Sequence, residues 1–230
     1  PKNSDGKNLP LIVNPHGGPA SRDVWGYRGE TQFLASRGYA VLSMNFRGST
    51  GYGRKHVIEG NKQWGRKMQD DVTDSVSWAV EQGYANPDKV CIHGASYGGY
   101  AVMAGITKTP KMYKCAVNYV GVTDMGLLFT KMPKVWEIWE EQQKVEIGDY
   151  DNEKSYLDAV SPINLVDKIE TPLYIVHGVR DWRVPIQHAQ KLRKELEKNG
   201  KKLGEDYWWL VKGDEGHGFV KEANNMELYT

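Results

Sequence analysis

The sequence predicts an α/β fold, a mostly parallel sheet flanked by helices on both faces. Two observations carry this. Short apolar runs rich in β-branched residues alternate with longer amphipathic stretches, and no internal repeat or low-complexity tract interrupts the alternation. The composition, 40% apolar, 26% charged and 11% aromatic, is that of an ordinary globular chain and excludes disordered, collagen-like and disulfide-scaffold classes. At 230 residues the chain fits one domain, 1–230, better than two.

In chain order, the first apolar run, Leu11 to Asn14, reads as a strand, and Val24 to Arg37 as the first amphipathic helix. Ala40 to Asn45 gives the second strand and Met68 to Gln82 the next helix. Lys89 to His93 is a third strand, followed directly by a helix over Tyr97 to Lys108. Cys115 to Val120 is the fourth. The rhythm then breaks between Thr123 and Ile169, where Trp136, Trp139 and a charged run from Glu137 to Glu146 predict a helical insertion. Such an insertion belongs over the carboxyl ends of the strands, where ligands bind. Strand Leu173 to His177, helix Ile186 to Asn199 with Gly200 as its stop, and strand Tyr207 to Val211 complete the set.

Thirty Lys and Arg against 29 Asp and Glu leave a net charge of +1, so no global field draws in nucleic acid or an anionic membrane. No apolar run reaches the eighteen or so residues of a membrane span, and the polar start Pro1-Lys2-Asn3-Ser4 is not a signal peptide. Cys91 and Cys115 each sit in an apolar strand run and are expected to be two inert core thiols, which favours the cytoplasm. A start without Met and an ending at Tyr229-Thr230 inside a helical stretch are expected of a segment of a longer chain.

Gly94-Ala95-Ser96-Tyr97-Gly98 lies between a strand and a helix. A serine on so tight a turn is held in a strained conformation that lifts its hydroxyl clear, and the helix behind it aims backbone N–H groups at any oxyanion formed there. The string alone arises by chance roughly once in nine such sequences, so its position between strand and helix is what makes Ser96 the candidate nucleophile.

A serine needs a base and a group to orient that base. Of six histidines, His93, His177 and His188 read as packed or surface residues, and His56 sits in a loop with no evident chemistry. His217 stands in Gly213-Asp214-Glu215-Gly216-His217-Gly218-Phe219, a glycine-rich loop after the last strand, and is the candidate base. The acid falls at a strand end between serine and histidine, and both Asp124 and Asp181 qualify. Asp181 is preferred, because the compact turn running to Val184-Pro185 can hold a carboxylate rigidly.

The Tyr97 amide follows the nucleophile and supplies one oxyanion donor. The second comes from His16-Gly17-Gly18-Pro19 after the first strand, with Gly17 or Gly18 as donor. Tyr97, Tyr119, Trp136 and Trp139 are candidate walls of an apolar pocket. Phosphate-loop, paired-histidine zinc and paired-cysteine signatures are all lacking, and no cofactor or metal is expected.

Together with Arg47-Gly48-Ser49-Thr50-Gly51-Tyr52-Gly53, His177-Gly178 and Gly99-Tyr100, these motifs run through nearly the whole chain in one order. That order resembles the prolyl oligopeptidase family, and the His-Gly-Gly-Pro form is most similar to its acylaminoacyl branch. The resemblance implies an α/β-hydrolase fold, with Ser96, Asp181 and His217 as triad and Tyr97 with the His16-Gly17 loop as oxyanion hole. It also implies an N-terminal β-propeller, of which this chain holds no blade repeat. The expected activity is cleavage of short peptides near a chain end through an acyl-enzyme. A carboxylesterase with the same triad is the rival reading, and a catalytically silent binding module a more distant one. The edge strands leave room for a homo-oligomer.

Overall fold

The computed structural model describes residues 1, 2 and 4–230; Asn3, from the polar start, lies outside them. The elements run β1 (Leu9–Val13), α1 (Gly29–Ser36), β2 (Ala40–Leu42), α2 (Arg54–Ile58), α3 (Lys67–Glu81), β3 (Ala85–Ala95), α4 (Tyr97–Lys108) and β4 (Cys115–Tyr119). The insertion holds α5 (Met125–Thr130), a 3-10 helix (Lys134–Trp139), α6 (Glu140–Glu146), α7 (Lys154–Ala159) and a second 3-10 helix (Pro162–Lys168). Then come β5 (Leu173–Gly178), α8 (Gln187–Lys198), β6 (Tyr207–Lys212) and α9 (Glu222–Tyr229). The six strands lie in the order β2-β1-β3-β4-β5-β6 and every pairing is parallel. Parallel neighbours need helical crossovers, which is why the sequence alternates as it does.

Period-two alternation sorts the strands between two cores. Leu173 and Ile175 of β5 enter the larger core with α3, α4 and α8, while Val176 enters a smaller one with Leu210 and Phe219, against which Tyr119 and Leu228 pack. α4 is the centre of the larger core, with eleven of its twelve residues buried. Its start can lie this deep because Gly98 has no side chain: a Cβ there would stand 2.2 Å from the Pro15 carbonyl oxygen.

Three expectations need correction. α1 begins at Gly29, not Val24, because Asp23 is tied to Asn45 and the exposed Val24 and Trp25 face no core that would wind a turn. β2 ends at Leu42, not Asn45: it is an edge strand whose one partner among the described residues, β1, stops at Val13. The two cysteines are not free thiols but a disulfide. β3 and β4 set Cys91 opposite Cys115 in register, with Cα atoms 4.8 Å apart, and Cys115 is exposed rather than in the core.

The insertion is closed at its base. Ile163 N–H donates to the Thr123 carbonyl and Met125 N–H to Ser161 Oγ, so its two ends leave the sheet side by side. No helix among the described residues is long and apolar enough to cross a membrane.

Candidate active site

Ser96 stands between β3 and α4 with φ +60° and ψ −120°, a region that costs a non-glycine residue about 1–3 kcal/mol. Two hydrogen bonds hold it there: Ser96 N–H to the Tyr119 carbonyl, and Tyr100 N–H to the Ser96 carbonyl, both 3.0 Å. The hydroxyl has no hydrogen-bond partner among the described residues, and Ser96 lines a cavity of about 310 Å³.

Asp181 is buried at the turn after β5. Its Oδ1 accepts the N–H groups of Arg183 and Val184, both at 2.9 Å, and its Oδ2 accepts His217 Nδ1–H at 2.7 Å. The backbone thus holds one carboxylate oxygen and leaves the other to the imidazole. Buried His177 steadies the same turn, donating Nε2–H to the Val184 carbonyl at 2.8 Å. Asp124, the rival acid, is committed elsewhere: it pairs with Lys191 and accepts Leu127 N–H as the N-cap of α5. Burial pushes its carboxyl up, but the Lys191 and Leu127 donors outweigh that and hold it below the usual range.

His217 is held by its loop. Glu215 is buried and accepts N–H bonds from Val220 and Lys221 at 3.0 and 2.9 Å and from the Asn224 amide at 2.7 Å. Burial raises its carboxyl, but these three donors together bring it below the usual range. Gly178 lets the loop close on β5, since a Cβ there would meet the Gly216 carbonyl oxygen at 2.3 Å. No hydrogen bond joins Ser96 to His217 among the described residues, and His217 Nε2 has no partner there; such bonds often form only with substrate in place.

The candidate oxyanion side is built around His16. A Cβ on Gly17 would stand 3.4 Å from Ser96 Cβ, which puts this loop against Ser96. Neither the Tyr97 nor the Gly17 N–H has an acceptor among the described residues. The His16 ring itself is turned away. Its Nδ1–H donates to the Gly17 carbonyl and its Nε2 accepts from Ser49 Oγ, both at 2.8 Å, while the ring stacks on Phe46 at 4.3 Å. Burial lowers its pKa, so the ring stays neutral with the proton on Nδ1. Ser49 comes from the Arg47-Gly48-Ser49 motif, whose arginine grips Asp71 of α3 bidentately at 2.8 and 2.7 Å.

Three of the candidate wall residues, Tyr97, Trp136 and Trp139, line the cavity beside Ser96; Trp64, Leu128, Met132 and Val184 also line it. Trp64 carried no signal in the sequence, lying in a loop without periodicity. Tyr119, expected as a wall, is not among the lining residues. Its hydroxyl accepts Phe219 N–H, and its ring meets Phe219 edge to face at 5.4 Å. Tyr119 therefore joins the elbow, through its carbonyl, to the histidine loop, through its hydroxyl. A larger cavity of about 540 Å³ around Tyr100, Thr107 and Lys168 contains none of the candidate catalytic residues. No cluster of three metal-ligating side chains occurs among the described residues.

A parallel sheet with a strained serine at a strand-to-helix turn, and an acid and a histidine at the ends of later strands, defines an α/β-hydrolase. The sequence matches the family model described as "Prolyl oligopeptidase family" over residues 25–230. It is 42% identical over 228 residues to dipeptidyl aminopeptidase BIII of Pseudoxanthomonas mexicana, a match covering 97% of this chain and 32% of that protein. It is 29% identical over 200 residues to the acylamino-acid-releasing enzyme of Arabidopsis thaliana, covering 85% and 26%. Among solved structures, a puromycin-hydrolyzing peptidase of Mycobacterium tuberculosis superposes with a TM-score of 0.90 at 27% identity, over 98% of this chain and 33% of that one. This chain belongs to the prolyl oligopeptidase family, and spans between about a quarter and a third of the length of these relatives.

Proposed function

We propose that this chain is the catalytic part of a serine-type peptidase that cleaves short peptides through an acyl-enzyme. Ser96 attacks the scissile carbonyl, His217 takes its proton and returns it to the leaving amine, and Asp181 holds the imidazole in the tautomer that accepts at Nε2. The Tyr97 and Gly17 N–H groups bind the oxyanion. Water then enters by the same route, with His217 again as base, and releases the acid. The observation that carries this reading is the Asp181–His217 hydrogen bond at 2.7 Å, made in the same molecule that strains Ser96 at the edge of an aromatic cavity. Likeness to a dipeptidyl aminopeptidase favours release of dipeptides over single residues.

A fluorophosphonate probe followed by peptide mass mapping tests it, paired with a dipeptide anilide and its matched ester. Labelling confined to Ser96, lost in His217→Ala, with anilide turnover, is the expected result. Labelling with ester turnover alone would replace the peptidase by a carboxylesterase, and no labelling would remove the hydrolase reading. The cytoplasmic placement expected from sequence rested on two free thiols; the Cys91–Cys115 disulfide supports an oxidising compartment instead. Thiol alkylation of protein taken directly from its source tests this: unblocked cysteines labelled before reduction would return it to the cytoplasm.

A further inference from the structure

The walls of the Ser96 cavity are mostly apolar, but α6 brings a different chemistry to them. Gln143 and Glu146 both line the cavity. Gln143 Oε1 is buried with no hydrogen-bond partner among the described residues. Glu146 makes no ion pair there; its Oε1 accepts from Gln142 Nε2 at 2.6 Å and its Oε2 from no group. Nearby cations are spoken for, Lys144 by Glu140 and Glu141 and Lys62 by Glu153. Arg183 lines the cavity from the turn of Asp181 and forms no ion pair with Glu146 among the described residues. A buried acceptor such as Gln143 Oε1 is costly without a donor unless a ligand supplies one, and the half-buried Glu146 beside it carries an unpaired charge.

We propose that Gln143 and Glu146 form a cation subsite that reads a positively charged group on the acyl side of the bond cleaved at Ser96. The inference rests on the hydrolase reading above. An ammonium or guanidinium offers N–H donors to Gln143 Oε1 and Glu146 Oε2, and the charge that Glu146 lacks a partner for. Trp64, Tyr97, Trp136 and Trp139 suit the rest of such a group, since aromatic faces accept both an aliphatic stem and a cation. The charge has two sources with one chemistry: a lysine or arginine side chain at the acylating residue, or the free amino terminus of a dipeptide.

Isothermal calorimetry separates them with N-acetyl-arginine amide, N-acetyl-norleucine amide and glycyl-leucine amide, read beside the anilides of the same acyl groups. Expected is a preference of at least about tenfold for a cationic ligand over acetyl-norleucine, in binding and in kcat/KM. The preference should collapse in Glu146→Gln, fall in Gln143→Leu and survive in Glu146→Asp. Preference for acetyl-arginine places the charge on the side chain, and preference for glycyl-leucine places it on the amino terminus. Equal binding of all three ligands to the wild type, or a ratio unchanged in a folded Glu146→Gln and in Gln143→Leu, overturns the subsite. Fluorophosphonate labelling of Ser96 without a cation preference sinks the subsite alone. A cation preference without labelling sinks the hydrolase reading alone.

Discussion

His217 Nδ1 donates to Asp181 Oδ2 across 2.7 Å, although 36 positions separate the two residues. The bond exists because β5 and β6 are neighbours, so that the turns leaving their carboxyl ends meet. Asp181→Asn replaces the acceptor by an amide that stabilises the wrong tautomer. We expect kcat for an activated anilide to fall on the order of 10³-fold or more, with the melting temperature little changed. A loss below tenfold would remove Asp181 from the site.

The Glu215 carboxylate sets a pH limit. Its carboxyl is held below its usual value in the folded protein, so its contribution is present above that usual value and is lost as pH falls through the folded one. The histidine loop should therefore loosen in acid, below about pH 4. Amide exchange at Val220 and Lys221, followed against pH, should accelerate there. Glu215→Gln should show the faster exchange already at neutral pH and lose the acid step; an unchanged acid step would assign it to another group.

In the proposed mechanism Ser49 acts on the oxyanion side at one remove. Removing its hydroxyl leaves the buried His16 Nε2 without a donor, a loss of about 1–3 kcal/mol, and frees the ring that grips the Gly17 carbonyl. Ser49→Ala should lower kcat about tenfold or more, approaching the cost of one lost oxyanion donor, with KM nearly constant. Ser49→Thr should recover most of it. Equal loss in both variants would point to packing rather than to the hydroxyl.

The Cys91–Cys115 disulfide closes a separation of 24 residues. Replacing both cysteines by serine should cost about 2–4 kcal/mol in urea unfolding. Because the bridge joins the first residue of β4 to the middle of β3, five positions before Ser96 and outside the turn that holds it, kcat should stay within twofold. A fall in kcat beyond tenfold in the folded variant would mean that the bridge positions the elbow.

Much of this protein is legible in its amino-acid sequence. Six strands, the central helix from Tyr97 to Lys108 and the insertion between Thr123 and Ile169 follow from apolar period and length, which are local properties of the chain. Ser96 followed from a strand-turn-helix string, and His217 from glycines around a single histidine. Only the tertiary structure decided what depends on register and on contacts distant in sequence. It set Cys91 against Cys115, committed Asp124 to Lys191 and gave Asp181 to His217. It turned the His16 ring to Ser49 and put Tyr119 beneath the histidine loop instead of in the pocket. Contacts of the same kind brought Trp64, Gln143 and Glu146 to the walls of the Ser96 cavity and Glu215 beneath the loop of His217. A side chain's neighbours across a sheet are fixed by strand pairing, and no local pattern in the sequence records which strands pair or at what offset.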